Sequence, residues 1–308
     1  MKPEITIITP TYNRAHTLHR VYESLKNQTF KNFKWLIMDD GSTDDTEEVV
    51  KKLISKNEIE IEYHHHTNLH KVVTMHRGFK LIKTPYLMRI DSDDYLPQNA
   101  LQILYDNMQI IKDDDNISSV IGRVGYSTNK ELGDVFPENP FIEYVFIMKY
   151  KYKIRGVHMG MFKTKMIKTS SFREEEYIGK GYLPDFWNIE IDSKYKTMFI
   201  NDIVYIYDLN DTDQNSISNT KFNPKYAFGL SEQYRIFIKY YLPKYLFSYP
   251  MPIFKNMFKY IYYSSYIENN TIKKSLSQLE NGVSKLLYLL ILPFVILFKL
   301  KNRNLTKI

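Results

Sequence analysis

The chain has 308 residues, 44% of them hydrophobic, with 26 tyrosines, 18 phenylalanines and 11 glycines, enough for a large domain with an appendage or for two domains and unlike a disordered or linker-rich chain. It contains no cysteine, which excludes disulfides and thiolate metal sites and leaves hard, oxygen-seeking cations as the metals to expect. The formal charge of +7 points to an anionic partner, but no recognition helix or module signature accompanies it, so nucleic acid is not expected.

Met1-Lys2-Pro3 leads straight into Ile5–Thr9, a β-branched run that predicts a buried first strand without the apolar region of a signal peptide. Thr11-Tyr12-Asn13-Arg14 follow as a loop, and apolar residues at 18, 21, 22 and 25 trace one face of a helix. Phe33–Met38 predicts a second buried strand, ending in Asp39-Asp40-Gly41-Ser42. Thr43, Asp44 or Asp45 is then expected to cap a helix through Val49-Val50 and Leu53-Ile54. Ile59–Tyr63 alternates with period two, as a strand does. His64-His65-His66 reads as its end rather than as a metal site. A helix over 72–83 leads into Tyr86-Leu87-Met88-Arg89-Ile90, a strand that runs into Asp91-Ser92-Asp93-Asp94.

Three carboxylates in these four residues crowd negative charge at a strand end, which costs free energy unless a cation sits there. The carboxyl ends of strands are also where open α/β sheets gather ligands. The plainer alternative is a solvated turn, with Asp93 or Asp94 capping the helix that begins near Pro97. Strands alternating with helices to about residue 110 predict an α/β fold, a mostly parallel sheet flanked by helices.

Beyond Pro140, Tyr182-Leu183-Pro184-Asp185-Phe186-Trp187 reads as a loop entering a helix. Phe199-Ile200 and Ile203–Tyr207 read as two strand segments divided by the turn residues Asn201-Asp202. From Pro224 the pattern is helical, with breaks near Pro243 and at Pro250 and Pro252. The run Leu286–Phe298 carries no charge, falls short of the ~20 residues of a membrane span, and contains Pro293. The excess charge of the chain lies in its C-terminal third, with Lys273, Lys274, Lys285, Lys299, Lys301, Arg303 and Lys307 in or beside apolar segments. Apolar residues with cations at both ends suit a segment lying in a membrane interface; a packed core helix or a homodimer contact is the alternative.

Ile7-Ile8-Thr9-Pro10-Thr11-Tyr12-Asn13-Arg14, Met38-Asp39-Asp40-Gly41-Ser42-Thr43-Asp44 and Asp91-Ser92-Asp93-Asp94, in this order, resemble the family-2 glycosyltransferases. The resemblance is clear over about 4–110 and extends to about 210. It implies the nucleotide-diphospho-sugar-transferase fold called GT-A over residues 1–215, with a nucleotide half to about 110 and an acceptor half from 111. A helical extension over 216–283 and the membrane-associating tail 284–308 would follow.

By the same resemblance, Pro10, Thr11, Tyr12 and Arg14 lie at the donor nucleotide and Asp40 accepts a hydrogen bond from its base. Ser92 also lies at the donor nucleotide, Asp91 and Asp93 contact the ribose and hold Mn²⁺ or Mg²⁺ on the diphosphate, and Lys71 is a second cation. Asp185 is the base that deprotonates the acceptor, with Glu190 the alternative. Asp94 and Trp187 lie on the acceptor side, and His76 stands where relatives often carry asparagine. The implied activity is inverting, metal-dependent transfer from a UDP-sugar to a glycan or lipid-linked acceptor in bacterial surface-polysaccharide synthesis, at the cytoplasmic face of the inner membrane. Such a transfer needs neutralisation of the growing diphosphate charge and a base for the acceptor hydroxyl. A nucleotidyltransferase would instead carry a glycine-rich loop after its first strand, where this chain has Pro10–Arg14. A non-catalytic nucleotide-sugar- or glycan-binding membrane module would not require Asp40, Asp91 and Asp93 together.

Overall fold

The computed structural model describes residues 2–127, 130–180, 186–208 and 223–302. Its first half alternates as predicted: β1 (Ile5–Thr11), α1 (Leu18–Lys26), β2 (Phe33–Asp39), α2 (Thr46–Ser55), β3 (Glu60–His65), α3 (Lys71–Leu81), β4 (Tyr86–Arg89) and α4 (Ala100–Ile111). After these come β5 (Ile117–Ser127), β6 (Lys130–Leu132), β7 (Phe141–Glu143), α5 (Val145–Tyr150), β8 (His158–Lys163), α6 (Thr164–Ile167), α7 (Trp187–Lys194) and β9 (Lys196–Ile206). The C-terminal helices are α8 (Ala227–Tyr245), α9 (Pro250–Ser264), α10 (Ile272–Ser277) and α11 (Gly282–Lys301). The chain forms two compact units, Met1–Ile178 with Ile191–Asn215 and Gly179–Glu190 with Ser216–Ile308.

The first unit is built on one sheet in the order β3-β2-β1-β4-β8-β5-β9-β7, with β6 paired to β5. β3, β2, β1 and β4 are parallel. β8 runs antiparallel to both β4 and β5, so the carboxyl ends of β4 and β5 share an edge with its amino end. β1 is buried along its whole length, which explains the continuous apolar run that parallel strands covered on both faces require. The apolar face of α1, formed by Leu18, Val21, Tyr22 and Leu25, packs with Ile5, Ile7, Trp35 and Met88 and with Leu101, Leu104 and Met108 of α4. Each such side chain stabilises by about 1.5–3 kcal/mol when fully buried.

β1 lies between β2 and β4: the chain runs outward from β1 through β2 to β3 and then crosses back through α3 to β4, and this switch opens a crevice at the carboxyl ends of β1 and β4. The loops Thr11–Arg14, Asp39–Ser42 and Asp91–Asp94 all meet that edge.

Several local expectations are corrected. Asn201-Asp202 do not break a strand: β9 runs through them with a register shift against β5. The Asn201 side chain holds the bulge by accepting from the Phe136 N–H at 2.8 Å and donating to the Phe136 carbonyl. Neither Asp93 nor Asp94 caps α4. Its N-cap is Asn99, without a side-chain bond, and the Leu101 N–H donates instead to Gln28 Oε1 of a distant loop. Asp45 occupies the N-cap of α2 without capping it, while Asp44 Oδ1 accepts from the Thr46 N–H. α8 continues through Pro243 before ending at Tyr245.

In the second unit, α11 spans 20 residues, longer than its uncharged stretch because the flanking lysines are helical too. By length and composition alone it could cross a membrane. It packs its Leu287, Tyr288 and Val295 side inward, and the Tyr288 ring meets Tyr260 of α9 edge-on at 6.0 Å.

Candidate active site

The end of β1 and the end of β2 are laced together. Pro10 and Thr11 pair with Met38 and Asp39 in the ladder, and the Asp40 N–H donates to the Thr11 carbonyl at 2.9 Å. The chain turns sharply at Asn13, whose φ of 54° is left-handed. Its N–H donates to Ser42 Oγ and its Oδ1 accepts from the Thr43 N–H. The Arg14 N–H donates to Thr46 Oγ1. Thr11 is buried, and its hydroxyl has no hydrogen-bond partner among the described residues, whereas Tyr12 is 46% exposed.

The two aspartates ending β2 have different surroundings. Asp39 is wholly buried; its Oδ1 accepts from the Ser42 N–H at 2.8 Å and its Oδ2 from the Tyr63 hydroxyl at 2.6 Å. Asp40 uses one oxygen only. Its Oδ1 accepts from the Leu69 N–H at 2.8 Å and the Thr74 hydroxyl at 2.7 Å, which leaves Oδ2 without a hydrogen-bond partner among the described residues. Burial pushes the Asp40 carboxyl above its usual range, against the opposing pull of the Leu69 and Thr74 donors. Gly41 makes this approach possible: at φ 83° a Cβ there would meet the Asn68 nitrogen at 2.7 Å.

At the end of β4, Lys71 Nζ stands 3.0 Å and Arg89 Nε 3.5 Å from Asp91 Oδ1. Burial opposes ionisation of Asp91, but the charges of Arg89 and Lys71 outweigh it and bring the carboxyl down to about 2. Asp93 moves the other way. Burial and then the charge of Asp91 raise it, with Arg14 opposing. Two neighbouring carboxyls are thus driven apart, one firmly ionised and one short of positive charge.

The family model for glycosyl transferase family 2 matches residues 6–174. The chain belongs to that family.

Among its relatives is the GalNAc(5)-diNAcBac-PP-undecaprenol beta-1,3-glucosyltransferase of Campylobacter jejuni, 26% identical over 187 residues. That match takes in 57% of this chain and 56% of the relative, so the chain spans about half the length of this curated protein. Staphylococcus aureus TarS 1–349 in complex with UDP-GlcNAc superposes with a TM-score of 0.57 at 16% identity, over 94% of this chain and 86% of that one. A mannosyltransferase from Pyrobaculum calidifontis, in complex with GDP-Man and Mn²⁺, gives 0.51 at 12% identity, over 96% and 81%. At such identities the likeness establishes the fold, that of the GT-A glycosyltransferases.

Within this family-2 frame, Pro10 and Thr11 end β1, Lys71 opens α3, and Tyr12, Arg14, Asp40, Asp91, Ser92 and Asp93 lie in the loops that follow β1, β2 and β4. Asp94 is placed differently from the acceptor-side expectation. It is 3% exposed, its Oδ2 accepting from the Tyr205 hydroxyl and its Oδ1 from the Asp208 N–H. Burial, then the charges of Asp93 and Asp91, push its carboxyl up to about 7. Asp185 lies outside the described residues, as does the Trp187 side chain. Glu190 is buried on α7. The His76 ring packs 4.5 Å from that of Phe172, and burial lowers its basicity.

Four residues of this candidate site escaped the sequence reading. Arg89 sat inside an apolar run, where a lone charge in a buried strand is a signal in itself. Tyr205, Tyr63 and Thr74 gave no signal, since their partners are remote in the chain.

Proposed function

We propose that this chain is an inverting glycosyltransferase that moves a sugar from a UDP-linked donor to a glycan or lipid-linked acceptor. The observation that carries this reading is the Lys71–Asp91–Arg89 cluster at the carboxyl end of β4, two residues from Asp93 in the chain. Asp40 Oδ2 is the oxygen available to accept an N–H of the donor base, while Thr11, Tyr12 and Arg14 line the nucleotide. Asp91 is held ionised and oriented for the ribose. Lys71 serves as the cation nearest to it.

A divalent cation fits this site in one specific way. Among the described residues no group of three or more His, Asp or Glu side chains converges into a metal cage. Mn²⁺ or Mg²⁺ would therefore be held as Mg²⁺ commonly is beside nucleotides, by one or two carboxylates and the substrate's own phosphates. Asp93, with its charge poorly compensated, is the ligand this arrangement favours, and Asp91 is the second. When bound, the cation would neutralise charge developing on the leaving diphosphate.

Deprotonation of the acceptor hydroxyl falls to Asp185, with Glu190 the alternative. A lipid-linked acceptor would reach the enzyme at a membrane, in keeping with a C-terminal segment, residues 284–308, that associates with the cytoplasmic face of a bacterial inner membrane. The test is to incubate purified protein with a panel of nucleotide-sugars, with and without Mn²⁺. Release of UDP from a UDP-sugar is expected. UDP binding without hydrolysis or transfer of any donor would leave a binding module instead.

A further inference from the structure

The second unit contains a surface that sugar transfer does not require. α11 directs Leu287, Tyr288 and Val295 inward, yet leaves Leu290, Phe294 and Leu297 60%, 66% and 63% exposed. Between α9 and α11 lies a groove of about 710 Å³, within the range of about 300–1,000 Å³ typical of ligand sites. Phe254, Phe258 and Tyr262 of α9 form one wall, and Leu290, Phe294 and Phe298 of α11 the other. The Phe298 ring stands edge-on to Phe258 at 5.5 Å and to Tyr262 at 5.9 Å.

The charge on this surface has one sign. Lys255 and Lys259 border the groove, both exposed and one helical turn apart on α9. Lys259 Nζ lies 5.1 Å from the centre of the Tyr234 ring. Neither α9 nor α11 contains a single carboxylate, while α11 adds Lys285, Lys299 and Lys301.

We propose that this groove seats one acyl chain of an anionic membrane phospholipid, with Lys255 and Lys259 on the lipid phosphate. The groove takes hydrocarbon and its rim takes negative charge, a combination that an anionic phospholipid carries in one molecule. A bilayer also covers the apolar residues outside the groove, Leu286, Leu297 and Leu300, which a single soluble ligand would leave in water. The inference rests on the membrane reading above but moves the binding determinants from the tail alone to α9.

The experiment uses the full chain and sucrose-loaded vesicles of phosphatidylcholine, alone or with phosphatidylglycerol. Wild type should sediment with the phosphatidylglycerol vesicles. Lys255→Gln/Lys259→Gln should bind them about 30-fold more weakly, with an unchanged melting temperature to show that it folds. A Phe294→Trp reporter should be quenched by phospholipid brominated along its acyl chains. If the double variant binds like wild type, the groove proposal falls while the membrane reading survives on residues 284–308. If wild type binds neither vesicle, both fall. A concentration-dependent dimer that protects the reporter from brominated lipid would make a second copy of the chain the occupant and overturn the proposal.

Discussion

The Tyr205 hydroxyl donates to Asp94 Oδ2 at 2.7 Å and accepts from the Asp91 N–H at 3.0 Å. One phenol on β9 thereby holds the first and last members of the acidic loop, from 114 and 111 residues away. The neighbouring backbone repeats the link, since Tyr95 and Ile206 exchange both their N–H···O bonds. Asp208 extends it to α1 through Arg20, at 2.7 Å. Asp94 thus works as a buried anchor, and its anchoring leaves Asp91 and Asp93 directed by a rigid loop.

Tyr205→Phe should therefore weaken both fold and donor site. It removes one hydroxyl that satisfies two buried polar groups, at a cost of about 1–3 kcal/mol, or several degrees in melting temperature. Affinity for UDP should fall as well, because Asp91 loses the bond that fixes its backbone. A variant with unchanged melting temperature and UDP affinity would show that the latch is incidental.

Asp93→Ala should abolish transfer and the metal-dependent part of UDP binding while leaving the fold intact. The Asp93 carboxyl is raised by burial and by the charge of Asp91, so its removal relieves crowding and metal-free stability should hold or rise. Calorimetric titration with UDP, with and without Mn²⁺, separates the two contributions. Mn²⁺-dependent affinity equal to wild type would remove Asp93 from the metal site.

Legibility in the sequence followed the range of the forces involved. The βα units up to α4 announced themselves because their burial is periodic, and the acidic loops because charge at the end of an apolar run is conspicuous. Tyr205 reads as one more aromatic in a strand, and nothing local distinguishes it from Tyr207. Asn201-Asp202 carry turn chemistry, yet β9 passes through them because the Asn201 amide is satisfied by Phe136 in another segment. Asp94 shares a motif with Asp91 and Asp93, and only the tertiary structure separates an anchored carboxyl from those at the crevice.

Asp185→Asn should lower turnover by about 10²–10⁴-fold, the usual contribution of a general base, with UDP affinity nearly unchanged. A base faces the acceptor hydroxyl and not the nucleotide, so kcat should carry the whole loss. Collapse of UDP affinity together with turnover would place this residue in the donor site or the fold. Unchanged turnover would move the role to Glu190.

His158 supplies a pH-dependent term away from the donor site. It stands opposite Arg123 in the β5–β8 ladder and packs against Phe136 at 5.1 Å. Burial first, then the Arg123 charge, lower it from 6.5 to about 4; Lys149 acts in the same sense and Asp134 against it. The imidazole is therefore neutral in the fold at pH 5–6, where the unfolded chain already takes up the proton. Stability that is fully present above about pH 6.5 should be lost progressively as pH falls towards 4, by about 3 kcal/mol for this group. The raised carboxyls of Asp94 and Asp192, each near 7, work in the opposite sense, so total stability is not the quantity to read. The difference between wild type and His158→Gln isolates the term. Measured by urea unfolding from pH 7 to pH 4, the wild-type advantage should shrink across that window, and a constant difference would mean that His158 titrates in the fold as it does in the unfolded chain.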